Sequence, residues 1–153
     1  MNGAYIDGRW RAGKAAHFQN HCPATGEVVW EGHGADESEV HEAVSSARKA
    51  FRHWSRLPQS DRTAILERYA DEIAKRADAI AETVSRDMGK ALWESISEAA
   101  TMKAKVAVSI AAQVERAGTK FSEAAFGSSH LTHRPHGVMA VFGPFNFPGH
   151  LPN

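Results

Sequence analysis

Asn146 stands between Phe145 and Phe147, with Pro144 and Pro148 just outside them. An amide in that setting has two chemical uses. Its NH2 can donate to negative charge developing on an oxygen, the work of an oxyanion hole. It can instead fasten a loop through backbone hydrogen bonds. The preceding run, Val138 to Phe142, is apolar and is closed by Gly143 and Pro144. A continuous apolar run is expected of a strand covered on both faces of a parallel sheet. Asn146 would then sit at the carboxyl end of such a strand, where open α/β sheets bind their ligands.

Other residues carry weaker chemistry. Thr101 and Lys105 are one helical turn apart, just off an apolar stripe. A lysine there is a solvated side chain with a snorkelling stem, or a cation that faces a cleft and attracts a carboxylate. Cys22 is the one thiol in the chain. A nucleophilic role would need a base and an electropositive setting, and Pro23 beside it argues for a turn. His130, His133 and His136 have a spacing that does not converge on a metal in a strand or turn, and no cysteine or acidic pattern completes a ligand set. Asp87-Met88-Gly89-Lys90 lacks the second glycine and the Ser or Thr of a phosphate loop. Gly89 reads as a helix C-cap, with Lys90 serving the helix dipole.

The elements that must position these groups can be read in order. Asp7-Gly8 between Tyr5-Ile6 and Trp10 signals a hairpin. His17 to His21 and Glu27 to Glu31 are strand candidates around the turn Pro23-Ala24-Thr25-Gly26, with Gly32 and Gly34 ending the second. Asp36 and Glu39 have capping-box spacing. They open a helix whose stripe is Val40, Ala43, Val44, Ala47, Phe51 and Trp54. Ser60 is expected to cap a second helix, with a break near Arg76-Ala77-Asp78 where Asp78 caps a fresh turn. A third helix is predicted from Ala91 to Ala117, stopped by Gly118. Residues 119–130 read as a loop, and His130 to Arg134 as an exposed strand.

The chain has 153 residues, 18 basic and 18 acidic, for a formal net charge of +0. That balance disfavours a general nucleic-acid binder. No apolar run approaches the roughly 18 residues of a membrane span, and the first residues have no basic and apolar leader pattern. A single cysteine allows no internal disulfide. These features point to a cytoplasmic protein with no nucleic-acid or membrane partner.

Taken together, these segments resemble the NAD(P)-dependent aldehyde dehydrogenases. The closing run, Arg134-Pro135-His136-Gly137-Val138 followed by Phe142-Gly143-Pro144-Phe145-Asn146-Phe147-Pro148, resembles the family's approach to its active site. Tyr5 to Trp10 resembles its opening hairpin. Pro23 to Glu27 resembles its Asn-Pro-x-Thr-Gly-Glu turn, with Cys22 where asparagine is usual. Asp36 to Trp54 and Arg62 to Leu66 resemble its first helices. Met88-Gly89-Lys90 with Glu98 resembles a Thr-Gly-Lys and its following glutamate, with Met88 in place of threonine. Within the family, the closing run is most similar to the bacterial branch that oxidises N-succinylglutamate 5-semialdehyde in arginine breakdown.

The resemblance implies an α/β fold: edge hairpins, three long helices and the first strand of a Rossmann-like parallel sheet. Residues 1–153 would be the N-terminal portion of the NAD-binding domain, with 130–136 in an oligomerisation strand and 137–153 as first strand and active-site loop. It implies that Asn146 stabilises the oxyanion and that Phe142, Gly143, Pro144 and Phe145 pass the nicotinamide end of the cofactor. Phe147 and His150 would line the aldehyde tunnel. Thr101 and Lys105 would border it, with Lys105 the candidate cation for an acidic aldehyde. The cofactor implied is NAD, with NADP as the alternative, and the parent enzyme would be a homo-oligomer. The family's nucleophilic cysteine and its glutamate base lie downstream of this motif, so the remaining domains are expected to be absent and the chain alone inactive. The alternatives are a non-catalytic helical interaction module, or an aldehyde dehydrogenase of different substrate.

Overall fold

The computed structural model describes residues 3–153. Its first two strands, β1 (Ala4–Ile6) and β2 (Arg9–Arg11), pair antiparallel with Tyr5 opposite Trp10. Asp7 (φ 52°) and Gly8 (φ 77°) make the turn, the left-handed pair that a tight hairpin requires. Strands β3 (His17–His21) and β4 (Val28–His33) form a second antiparallel pair with an irregularity at Asn20/His21. Gly32 does not end this strand. It is buried within β4, opposite Phe18.

Helix α1 (Glu37–Trp54) starts on the expected capping box. The Asp36 carboxylate accepts the Glu39 N–H at 2.9 Å, and Glu39 Oε2 accepts the Asp36 N–H at 3.1 Å. Glu39 Oε2 also accepts the Lys14 N–H at 2.9 Å, which ties the N-terminal loop to the helix start. Glu39 is only 1% exposed, and these backbone donors are what make a buried carboxylate tolerable.

The long middle region divides as the Arg76 break predicted, into α2 (Gln59–Lys75) and α3 (Ala77–Met88). The cap assignments differ from expectation. Pro58, not Ser60, holds the N-cap of α2, and its carbonyl accepts from Asp61 and Arg62. Ser60 lies inside the first turn and donates to Asp61. Arg76 is the N-cap of α3, and Asp78 falls in the first turn without capping it. Gly89 closes α3 at φ 66°, a left-handed position that favours glycine. Helix α4 (Leu92–Ala117) follows and packs along both α3 and α2. Ile73, Ala81, Val84, Ala99 and Val106 are buried at these helix contacts.

Three expectations near the end of the chain differ from the structure. Residues 119–130 are not a loop. They hold β5 (Lys120–Ala124) and β6 (Gly127–Leu131), an antiparallel hairpin. Every residue of both strands is exposed, so no buried face marked the sequence with a period of two. The strand expected at His130 to Arg134 stops at Leu131. Val138 to Phe142 has no strand partner among the described residues. A ladder needs a second chain segment to bond with, and none lies alongside. Gly137 to Met139 instead border a shallow depression beside Ala47, Phe51 and Trp54 of α1. Among the described residues the architecture is mixed α/β: four helices with small strand pairs. Among the described residues no helix is long and apolar enough to cross a membrane.

Candidate active-site loop

Glu98, Thr101, Met102 and Lys105 recur at helical spacing, so one face of α4 presents all four. The closing segment of the chain lies along this face. Glu98 Oε1 accepts the Gly149 N–H at 3.0 Å and the His150 N–H at 3.1 Å. One turn further on, Lys105 Nζ donates to the carbonyls of His150 at 2.8 Å and Leu151 at 3.0 Å. Asn153 donates to the Met102 carbonyl at 2.8 Å and accepts from the Tyr69 hydroxyl at 2.7 Å. The loop is thus tied to α4 through its own backbone. Gly149 allows the approach, since a Cβ there would lie 2.5 Å from Met102 Sδ.

Glu98 is also paired with Lys90, Oε2 to Nζ at 2.7 Å. Their side chains are 1% and 11% exposed, so both charges are largely out of water. Burial by itself pushes the Glu98 carboxyl up. The Lys90 hydrogen bond, with the His150 and Gly149 N–H groups, outweighs burial and holds the carboxyl below its ordinary value. Lys90 Nζ also donates to the Asn146 carbonyl at 3.1 Å and lies 4.3 Å from the Phe147 ring centroid, within cation–π range. Lys90, expected to serve the α3 dipole, is thus paired with Glu98 and the loop.

The backbone of Asn146 is held, and its side chain is exposed with no hydrogen bond among the described residues. Loop fastening is therefore done by Lys90, Glu98 and Lys105, not by the Asn146 amide. A cleft of about 420 Å³ lies along this face of α4, lined by Ser97, Glu98, Thr101, Phe147, His150 and Leu151, with Glu94 also on its wall. The Phe147 and His150 rings meet edge to face, 6.2 Å between centroids. His150 Nδ1 is buried with no hydrogen-bond partner among the described residues. The Thr101 hydroxyl donates back to the Ser97 carbonyl at 2.8 Å.

Three of the sequence-predicted substrate residues, Thr101, Phe147 and His150, thus share one cleft. Lys105 does not join them. It borders a smaller depression, with Leu66, Tyr69, Val106, Ser109 and Asn153. Phe142 and Phe145 are 94% and 82% exposed, and residues 138–145 have no backbone-to-backbone hydrogen bond among the described residues. Cys22 is buried in the N-terminal turn, its thiol lowered first by the Thr25 hydroxyl and then by the Ala24 and Thr25 backbone. Among the described residues no group of three or more His, Cys, Asp or Glu converges as a metal site.

Sequence reasoning gave Lys90 and Glu98 no part in this loop. A signal was present: Glu98 lies directly beside Ala99 of the apolar stripe of α4, and a carboxylate on a buried stripe needs a partner.

Comparison with known proteins bears on this arrangement. The aldehyde dehydrogenase family pattern matches residues 10–153. N-succinylglutamate 5-semialdehyde dehydrogenase of Burkholderia mallei (strain SAVP1) is 52% identical over 153 residues, which is 100% of this chain and 31% of that protein. Among solved structures, an indole-3-acetaldehyde dehydrogenase in apo form is similar at a TM-score of 0.86 and 27% identity, over 98% of this chain and 35% of that one. The NADP complex of the NADP-dependent glyceraldehyde-3-phosphate dehydrogenase from Bacillus halodurans C-125 shares the fold at a TM-score of 0.88 and 21% identity, over 99% of this chain and 33% of that one. The chain therefore spans about a third of the length of the curated relatives it matches, 31% for the first of them.

Proposed function

Because the chain belongs to the aldehyde dehydrogenase family, we propose that it supplies one wall of an aldehyde-oxidising site in which Asn146 is the oxyanion donor. The observation that carries this reading is the division of labour at Asn146. Its backbone carbonyl is held by Lys90 at 3.1 Å, while its side-chain amide is exposed and engages nothing among the described residues. When a nucleophile adds to an aldehyde, the carbonyl oxygen takes on negative charge. A preorganised amide N–H aimed at that oxygen stabilises it more than it stabilises the substrate. The nucleophile and the base would come from outside these residues.

The proposed substrate is N-succinylglutamate 5-semialdehyde, oxidised to N-succinylglutamate in the succinyltransferase route of arginine breakdown. Support comes from the 52% identity to the Burkholderia protein of that name. Thr101, Phe147 and His150 would line the aldehyde's path. Lys105 would act there through the loop it holds, since its ammonium is engaged by the His150 and Leu151 carbonyls. Residues 130–136 would belong to a subunit contact of a homo-oligomer, and 137–153 to the active-site loop of the cofactor domain, with Val138 to Phe142 becoming its first strand where parallel neighbours from outside these residues pair with it.

A nicotinamide dinucleotide, NAD with NADP as the alternative, fits the exposed stretch Phe142 to Phe145. Two open aromatic rings, and peptide groups with no backbone partner among the described residues, can take a flat, polar ligand. When bound, the dinucleotide supplies the hydride acceptor.

The test is NADH formation from N-succinylglutamate 5-semialdehyde by a polypeptide that continues past Asn153, with and without Asn146→Ala. Loss of turnover in the variant supports the reading; an unchanged kcat overturns it. The 153-residue chain alone, purified free of longer enzyme, is expected to form no NADH.

One observation favours a second reading. Leu92, Trp93, Ile96, Val108 and Val114 of α4 are all more than half exposed, as in a helical module that works by binding. A monodisperse oligomer of the isolated chain that unfolds cooperatively would favour that reading.

A further inference from the structure

We propose that the Lys90–Glu98 ion pair is a positioning device that sets the Asn146 loop against α4, and with it the direction of the Asn146 amide. This rests on the reading of Asn146 as the oxyanion donor.

The geometry ties the two ends of one short loop to opposite members of a single pair. Lys90, immediately after the left-handed Gly89, holds the near end through the Asn146 carbonyl at 3.1 Å. Glu98, two turns into α4, holds the far end through the Gly149 and His150 N–H groups at 3.0 and 3.1 Å. Nζ and Oε2 close the bracket at 2.7 Å. Between the two ties, the Phe147 ring sits 4.3 Å from the ammonium. Among the described residues neither charged group hydrogen-bonds the Asn146 side chain, so both are positioning residues.

A buried ion pair is a weak source of stability compared with an apolar pair of the same volume. What this pair does that an apolar pair cannot is accept two backbone N–H groups and donate to one carbonyl. The Asn146 amide makes no hydrogen bond of its own among the described residues, so its aim is inherited from the backbone that Lys90 and Glu98 hold. A donor that must meet a developing oxyanion needs that preorganisation. Removing either charge would leave the other buried without its partner, and the loop would swing to find water.

The experiment is hydrogen exchange at single amides, read by NMR at neutral pH, in the protein and in its Lys90→Met, Lys90→Arg and Glu98→Gln variants. The positioning reading expects the Gly149 and His150 amides to exchange about tenfold faster or more in Lys90→Met and Glu98→Gln. Amides of α1 and of the β3–β4 pair should be unchanged, and Lys90→Arg should recover most of the protection. In a polypeptide that oxidises aldehyde, Lys90→Met should lower kcat with little change in KM, again recovered by Lys90→Arg. Unchanged exchange at Gly149 and His150 overturns the proposal. So does an equal rise at every amide, because the pair would then only hold the fold. A loosened loop with undiminished kcat, where Asn146→Ala does lower kcat, also overturns it. If Asn146→Ala leaves kcat unchanged, the oxyanion reading has failed, and the exchange data alone decide whether the pair clamps the loop.

Discussion

The Lys105 ammonium lies 2.8 Å from the carbonyl oxygen of His150, with the Leu151 carbonyl at 3.0 Å. Lysine at that position of α4 is therefore a loop tether. Lys105→Met should remove both charge-assisted bonds and leave two carbonyls short of a donor. The expected cost is about 1.5–3 kcal/mol, read as a lower urea midpoint with an unchanged m-value. If the midpoint is unmoved, the two contacts do not hold in solution.

Glu98 has a worked pH consequence. Burial opposes its ionisation, but the Lys90 hydrogen bond and the two backbone N–H groups prevail and its native carboxyl is depressed. The unfolded state therefore holds its proton more tightly than the native state. Stability from Glu98 is fully present above the unfolded glutamate value, about 4.3. It is lost as pH falls through the depressed native value. At neutral pH Glu98→Gln should be the less stable protein, and the gap in urea midpoint should close only in acid below that range. A gap that is constant down to acid would contradict the assignment.

Asn146→Ala separates chemistry from stability. The side chain is exposed and makes no hydrogen bond among the described residues. Its loss should change unfolding free energy by less than about 0.5 kcal/mol. In an aldehyde-oxidising polypeptide the same change should lower kcat by about 10²–10³-fold. A variant destabilised by several kcal/mol would mean that the amide fastens the loop after all.

The capping box of α1 allows a graded comparison. The Asp36 carboxyl is held below its ordinary value, first by the Ser38 hydroxyl and then by the Glu39 N–H. Asp36→Ala should cost about 1 kcal/mol. Glu39→Ala should cost more, because Glu39 is 1% exposed and also holds the Lys14 N–H. Thermal unfolding of the two variants checks the order; a larger effect from Asp36 would reverse the account.

Much of the local structure was legible in the residues themselves. The Asp7-Gly8 hairpin, the Asp36/Glu39 box, the break at Arg76 and the Gly89 cap are each set by a few neighbours in sequence. The β5–β6 hairpin was not legible, because both of its faces are exposed and no alternation of apolar residues marks it. The extended run at Val138 shows the converse. Its apolar character announces a strand, but pairing depends on a second segment, and none lies alongside it among the described residues.

The candidate loop divides in the same way. Its types and order, with Asn146 between two aromatic rings and two prolines, were determined by the sequence alone, as was the stop of α4 at Gly118. Only the tertiary structure decided which groups would hold that loop. Lys90 and Glu98 meet each other because the α3–α4 joint turns the chain back. They meet Asn146, Gly149 and His150 because the closing segment folds along α4. Local periodicity cannot encode such a meeting. It depends on distant parts of the chain being brought together, where a buried charge is stable only if each of its hydrogen-bonding groups finds a partner.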